Sequence, residues 1–465
     1  MLRLSAFAPL LPPSRLAPRQ LAKLTACVLG LLPLFPQQAS ADEVFDWNVT
    51  GFEATAAGGQ NNVVISRTMA MTHLAVHDAL NAIERRYEPY LYDIDRPFKP
   101  HYPAGMADPA ATANAAIAAA ARDVLVGIIM EWGKPEQRTK ALAIIESAYT
   151  AALAKLPEGL PKKHGVAVGQ AAAAAMLAAR KTDGSNASSQ YTSGTAPGKW
   201  RPHANPKPPN PPIADPALVA GNGPALLPHW GQVVPFTMVT AWQFRLPAPH
   251  ALTSAQYAKD YEEVKRLGAK NSTARTPDQS EIARYWYEGS AQSWSRVARV
   301  VAAQRGLDRW DNARLLAVIN AAIADGFIAG FDTRYLYDFW RPVTAIHAGD
   351  MDGNDVTAAD PTWETFLNTP PIPDYPSTHS VAGGAAAAVL ARFFGSDQVA
   401  FSMASGAPFA GITRSFKSFS QASQENADSR VYAGIHFRSA CRDGIMLGAQ
   451  IGRRAFAQHL QPYRD

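Results

Sequence analysis

The chain is expected to be all-α, built as two helical bundles, and three observations carry that expectation. Apolar residues recur at helical spacing in a first group of four segments, three of them alanine-rich. A long stretch crowded with Pro, Gly, Ser and Asn follows, and helical spacing then resumes to the C-terminus. No segment shows a credible apolar/polar alternation of strand type.

The first 41 residues read as a processing segment. Arg3, Arg15, Arg19 and Lys23 form a basic region, and Leu24 to Phe35 is apolar but too short to span a bilayer. Ala39-Ser40-Ala41 then forms a small-residue cleavage site before Asp42 and Glu43. The chain is therefore expected to be exported, periplasmic or secreted, with a signal peptide removed after Ala41. Leu24-Thr25-Ala26-Cys27 has the look of a lipobox, but it precedes the apolar run, so lipidation is not expected.

Removing that segment changes the bulk properties. It carries four cations and no anion, so the net charge of +5 falls to +1 in the mature chain. The basic isoelectric point is then no argument for a nucleic-acid or membrane partner. Cys27 leaves with the segment and Cys441 remains alone, which excludes an intramolecular disulfide in the mature monomer. No stretch of the mature chain reaches ~18 consecutive apolar residues, so a soluble protein without a membrane span is expected. A homo-oligomer is compatible with the sequence.

The expected N-terminal bundle occupies residues 42–181. Val63 to Arg85 places Ile65, Met69, Leu74, Ala75 and Leu80 at roughly helical spacing. Ala110 to Met130, Arg138 to Lys155 and Lys163 to Arg180 follow on propensity. Residues 182–250 form a connector that includes Pro206-Lys207-Pro208-Pro209-Asn210-Pro211-Pro212, too long to be idle within a compact protein. The C-terminal bundle, residues 251–465, contains helices expected over Ser254–Leu267, Pro277–Tyr287, Trp294–Arg305, Arg309–Ala329, Ser380–Phe394 and Gly444–His459.

Three short motifs in this last region carry the chemistry. Trp340-Arg341-Pro342 comes first, with Arg334 seven residues before Arg341. Pro376-Ser377-Thr378-His379 precedes an alanine-rich helix, and Ser429-Arg430 is followed by Gly434-Ile435-His436. Guanidinium forks match the oxygens of a tetrahedral oxyanion, while hydroxyls and N–H groups at a helix start supply the remaining donors. An imidazole beside such an anion can be base, nucleophile or metal ligand. Each motif alone also has a plain reading: Ser377 and Thr378 as helix caps, Arg341 and Arg334 as solvated cations, His436 as a packed histidine. Ser429 reads as an N-cap and Gly434 as a flexible point that turns Arg430 and His436 toward one site. His77-Asp78 and His229 read as packing or interface groups. Asp332 is left open between a local role and pairing with a site arginine.

Taken together, the motifs resemble the superfamily of vanadium-dependent haloperoxidases and type 2 phosphatidic acid phosphatases. That family carries a Lys seven residues before an Arg-Pro pair, then Pro-Ser-Gly-His, then Ser-Arg-x-x-x-Gly-x-His. Order and spacing match here, and further likeness to exported bacterial haloperoxidase-like proteins runs through His73–Tyr90, Gly198–Pro202, Trp230-Gly231 and Phe339–Ile346. The resemblance implies vanadate(V) held through its oxygens by Arg334, Arg341, Ser377, the Thr378 N–H and Arg430. It implies His436 as the metal ligand and His379 as acid–base, with hydrogen peroxide and halide as substrates. The alternative it carries is an acid phosphatase, needing no cofactor, in which His436 attacks a phosphate ester. A plain oxyanion-binding protein is the non-enzymatic alternative. Arg334 in place of lysine and Thr378 in place of glycine depart from the family pattern. The arginine fork is expected to contact two oxyanion oxygens, and Thr378 to narrow the site.

Overall fold

A computed structural model of the protein describes residues 42–93, 107–212 and 223–464. The signal-peptide reading of residues 1–41 lies outside the described residues. Among those described, helix is the dominant secondary structure.

The N-terminal group comprises α1 (Glu43–Ala57), α2 (Asn62–Ile83), α3 (Pro109–Ile129), α4 (Pro135–Ala154) and α5 (Leu160–Arg180). α1 is absent from the sequence expectation, because Gly51 and several polar residues interrupt its apolar spacing. Its place is set by the burial of Val44, Trp47 and Phe52, and by Asp42, which accepts the Val44 N–H as an N-cap. α3 and α5 meet at backbone distance. A Cβ at Gly169 would lie 2.3 Å from the Ala116 carbonyl oxygen, so only small residues permit this crossing. The alanine richness of the two helices is thus a packing requirement as well as a propensity.

The C-terminal group comprises α6 (Ala255–Leu267), α7 (Pro277–Tyr285), α8 (Ser290–Arg305), α9 (Arg309–Tyr337), α10 (Pro342–His347), α11 (Thr378–Phe393), α12 (Phe419–Tyr432) and α13 (Arg438–Gln458). α9 is the spine. It packs against α2 on one side and against α11 and α13 on the other, and one hydrophobic core runs from Val44 to Leu460 across both groups. Ile319, Ile323, Ile328 and Phe331 on α9 are completely buried, each contributing about 1.5–3 kcal/mol. By length and composition α3 and α9 could each cross a membrane, but here both are mostly buried core helices.

Two features differ from expectation. α9 runs on to Tyr337, so Arg334 stands on a helix. A short antiparallel hairpin, β1 (Phe401–Ala404) and β2 (Thr413–Phe416), pairs Phe401 with Phe416; four residues per strand are too few for alternation to register in the sequence.

The connector is pinned to α9 by a buried carboxylate. Asp325 accepts the backbone N–H groups of Phe236 (2.6 Å), Thr237 (2.7 Å) and Met238 (3.1 Å). Asp78 holds the turn after α2 in the same way, accepting from Tyr90, Leu91 and Tyr92. Its neighbour His77 faces the Glu88 carbonyl at 3.1 Å, and His229 faces the Ser185 carbonyl at 3.1 Å.

Burial holds His73 neutral, its pKa lowered to about 3, and lowers His77 to about 4. Burial raises Asp78 to about 6. Both histidines bind a proton in the unfolded chain below pH about 6.5 but not in the folded one, so their contribution is intact above that pH and lost as pH falls. Asp78 acts oppositely, losing stability as pH rises through about 6. His73 and His77 therefore lower stability as pH falls from 6.5 to 4, opposed by Asp78. His77→Gln should reduce the slope of unfolding free energy against pH in that window by about 1 kcal/mol per pH unit, measured by urea denaturation.

Candidate active site

Four pieces of chain converge on one cavity of about 370 Å³. Arg334 comes from the last turn of α9. The chain then leaves through Asp338, in the left-handed region at φ 55°, and Arg341 becomes the N-cap position of α10. α11 begins at Thr378 behind the cap Ser377, and His379 occupies its first turn. Arg430 stands in the last turn of α12. Gly434 then reverses the chain at φ 80°, with Gly268 packed so closely that any Cβ there would lie 2.4 Å from a carbonyl oxygen. That reversal brings His436 back toward the cavity just before α13.

Six of the seven expected site residues line this cavity: Arg334, Arg341, Thr378, His379, Arg430 and His436. Ser377 lies behind the wall, fully buried, where its Oγ accepts from the Ser380 hydroxyl at 3.0 Å and caps α11. Ser429 is not an N-cap. It sits inside α12 and donates to the Asn426 carbonyl at 2.6 Å, so Gly434 alone makes the turn. Asp332 takes its local role, paired with Arg245 through both oxygens (2.7 and 2.8 Å).

All three guanidiniums are held by main-chain carbonyls. Arg334 donates from Nε to Pro376 O (2.7 Å) and from Nη1 to Pro373 O (2.8 Å). Arg341 donates from Nε to Ile372 O (2.7 Å) and from Nη1 to Ile435 O (3.1 Å). Arg430 reaches the Trp286 carbonyl at 3.4 Å and lies over the Tyr287 ring. What remains is informative: Arg334 Nη2, Arg341 Nη2, and Arg430 Nε and Nη2 are buried with no hydrogen-bond partner. Buried N–H groups without partners are rare and costly, and here four nitrogens of three cations share one cavity. Arg334 therefore presents one corner of its fork to the cavity, not the two-oxygen contact expected from the sequence. The Thr378 methyl packs against Gly330 of α9, where a Cβ would lie 2.8 Å from it, so the methyl is seated against that helix.

The electrostatics follow from this geometry. Burial is the first cause lowering Arg341 and Arg430 to about 10 and holding Arg334 well down, with Arg341 the next contributor to the Arg334 shift. Burial also holds both site histidines well below their ordinary pKa, reinforced by Arg430 at His379 and by Arg341 at His436. Both imidazoles are thus neutral at pH 7. His379 Nε2 faces the Glu288 carbonyl at 3.3 Å. The Glu288 side chain is itself clamped by Arg296 (2.7 and 2.8 Å).

The sequence reading missed Asp374. Its carboxylate is fully buried, 2.8 Å from His436 Nδ1 and 3.6 Å from Arg341 Nη1. Burial raises its pKa to about 7 against the pull of Arg341 and Arg334. It lies two residues before Pro376 in a stretch without arginine, and nothing local marked it, because Arg341 and His436 meet it only after folding.

With the geometry in hand, three comparisons bear on the site. Residues 43–224 match the vanadium chloroperoxidase N-terminal domain and residues 314–465 match the VCPO second helical-bundle domain, the latter containing every expected site residue. The chain is 23% identical to the vanadium chloroperoxidase of Curvularia inaequalis, over 88% of this chain and 81% of that one. Among solved structures it is similar to a bacterial vanadium-dependent iodoperoxidase (TM-score 0.72, 24% identity, 91% of this chain and 98% of that one). It is also similar to a holo-type bacterial vanadium-dependent chloroperoxidase (TM-score 0.66, 20% identity, 85% and 91%).

Arg430 supplies a direct test of the oxyanion cage. In anion-free protein its charge is buried without adequate partners, so Arg430→Met should leave Tm unchanged or raise it. The same substitution should remove most of the Tm increase that millimolar phosphate produces in the parent protein. Differential scanning calorimetry with and without phosphate reads both effects.

Proposed function

The chain belongs to the vanadium haloperoxidase superfamily, and we propose that it is a vanadate-dependent haloperoxidase that oxidises halide with hydrogen peroxide. The carrying observation is the set of partnerless guanidinium nitrogens around one cavity. They fit a small multivalent oxyanion, since each can donate to oxygen without surrendering an existing bond. His436 fits a metal ligand: its imidazole lines the cavity and is held neutral at pH 7 by burial and the neighbouring guanidiniums, so one ring nitrogen carries a lone pair.

Arg334, Arg341, Arg430 and the Thr378 N–H would hold the vanadate oxygens, with the Ser377 hydroxyl behind them, and His436 would bind the metal. When bound, vanadate supplies a V(V) Lewis acid that activates peroxide toward halide. The residues do the rest. The guanidiniums, all buried, orient the anion and stabilise negative charge on its oxygens. His379, with Nε2–H directed to the Glu288 carbonyl, keeps its lone pair on Nδ1, and Nδ1 would take a proton from incoming peroxide. Its neutral state at pH 7 is what a base requires.

The phosphatase alternative is not favoured, because the matched domains and the similar structures named above are of haloperoxidases. The leader-like residues 1–41 support placing this chemistry outside the cytoplasm, as a periplasmic or secreted activity; N-terminal sequencing of exported protein beginning at Asp42 would agree with it. Protein saturated with orthovanadate should oxidise bromide or iodide in the presence of peroxide and should not hydrolyse p-nitrophenyl phosphate. Hydrolysis in vanadate-free protein, inhibited by vanadate, would overturn the assignment.

His436→Ala should abolish orthovanadate binding and turnover together. His379→Ala should retain binding while turnover falls by about 10²–10⁴, measured by isothermal titration and halide oxidation. Equal loss of binding in both variants would show the roles to be misassigned.

A further inference from the structure

We propose that Glu288 is a positioning residue: its buried ion pair with Arg296 fixes the main-chain carbonyl that orients His379, the acid–base group. The catalytic part of this inference rests on the function proposed above.

The loop between α7 and α8 meets the site with three consecutive residues. Trp286 gives its carbonyl to Arg430 Nη1 (3.4 Å), the Tyr287 ring lies 5.6 Å from the Arg430 guanidinium, and the Glu288 carbonyl faces His379 Nε2 at 3.3 Å. The first two are tied down independently. Trp286 Nε1 donates to Glu425 at 3.0 Å, and the Tyr287 hydroxyl donates to the Asn368 carbonyl at 2.9 Å. Glu288 is held by its own carboxylate. Both oxygens accept from Arg296 on α8 (2.7 and 2.8 Å), and Oε2 also accepts the Gly406 N–H at 3.2 Å. Arg296 reaches on to the Ala404 carbonyl at the end of β1 (3.0 Å), so the pair clamps the loop to a helix and to the hairpin. Tyr287 lines the site cavity, whereas Glu288 borders a different one of about 350 Å³, so its carboxylate acts on the site through the backbone. Apolar replacement of a buried ion pair is often neutral or stabilising, so folding alone does not call for this one. A main-chain carbonyl can only accept, which fixes the neutral imidazole with its proton on Nε2 and Nδ1 free to take one. Misplacing a reacting group by about 1 Å can cost roughly 100-fold in rate.

Glu288→Leu combined with Arg296→Met removes both charges together and leaves neither buried alone, so its Tm should equal or exceed the parent's. Its kcat for halide oxidation should fall by roughly 10- to 100-fold. Orthovanadate affinity and KM for halide should stay within about twofold of the parent's, because Arg430 keeps its own contacts. Arg296→Lys, which preserves the charge pair, should retain most of the turnover. Two-bond ¹H–¹⁵N spectra of histidine-labelled protein should place the His379 proton on Nε2 in the parent chain and spread it over both nitrogens in the double variant. Parent-like turnover in a folded double variant, or parallel loss of vanadate affinity and turnover, would overturn the proposal. So would a His379 proton on Nδ1 in the parent protein, a result that holds even if the double variant does not fold. If the parent fails to oxidise halide at all, the haloperoxidase reading falls, and the spectra still decide whether the ion pair orients His379.

Discussion

Three buried guanidiniums in one small volume are the constraint around which the C-terminal half is arranged. Bringing cations together out of water is expensive unless each finds acceptors. The protein meets this with main-chain carbonyls of Ile372, Pro373 and Pro376, all from one five-residue stretch, plus Ile435 and Trp286. Prolines at 373 and 376 lack N–H groups, so that stretch is rich in acceptors and poor in donors. The carbonyls consume one side of each fork and leave the other side aimed at the cavity. The same bonds that make the site tolerable in the folded state also orient it.

This arrangement recasts the replacement of lysine by arginine at 334. A planar fork suggests two contacts to an oxyanion, yet two of its three nitrogens are bound to Pro376 and Pro373 carbonyls. Toward the cavity the residue presents one corner, as a lysine would present one ammonium. Thr378 is accommodated similarly. Its methyl is received by Gly330 on the adjoining helix, so the loss of the family's glycine is matched by a glycine on α9.

The spine helix links the two halves of the molecule to the site. α9 carries Arg334 at one end, Asp325 and Gly330 in the middle, and packs on both helical groups along its length. Asp325 draws the connector against it, and the connector's Asn205, Pro211 and Pro212 then line the cavity that Arg334 enters. A loop rich in Pro and Gly thus acquires its course at two places, through Asp325 at residues 236–238 and through Asn368, which accepts the Asn210 N–H at 2.9 Å.

The sequence by itself determined the helical class and the identity of the arginines and histidines that share the cavity. Those properties are local: helical spacing, composition, and motif order with spacing are all written along the chain. Tertiary structure decided the rest, because it depends on groups that meet only after folding. Ser377 is turned to cap a helix, Ser429 lies inside one, and Gly434 makes the turn because Gly268, far away in sequence, leaves no room for a side chain. Asp332 and Asp374 show the limit most clearly. Both are acids near the motifs, and nothing local distinguishes them. Packing gives Asp332 to Arg245 on an outer face and buries Asp374 against His436, because only the second lies on the loop whose carbonyls hold the arginines.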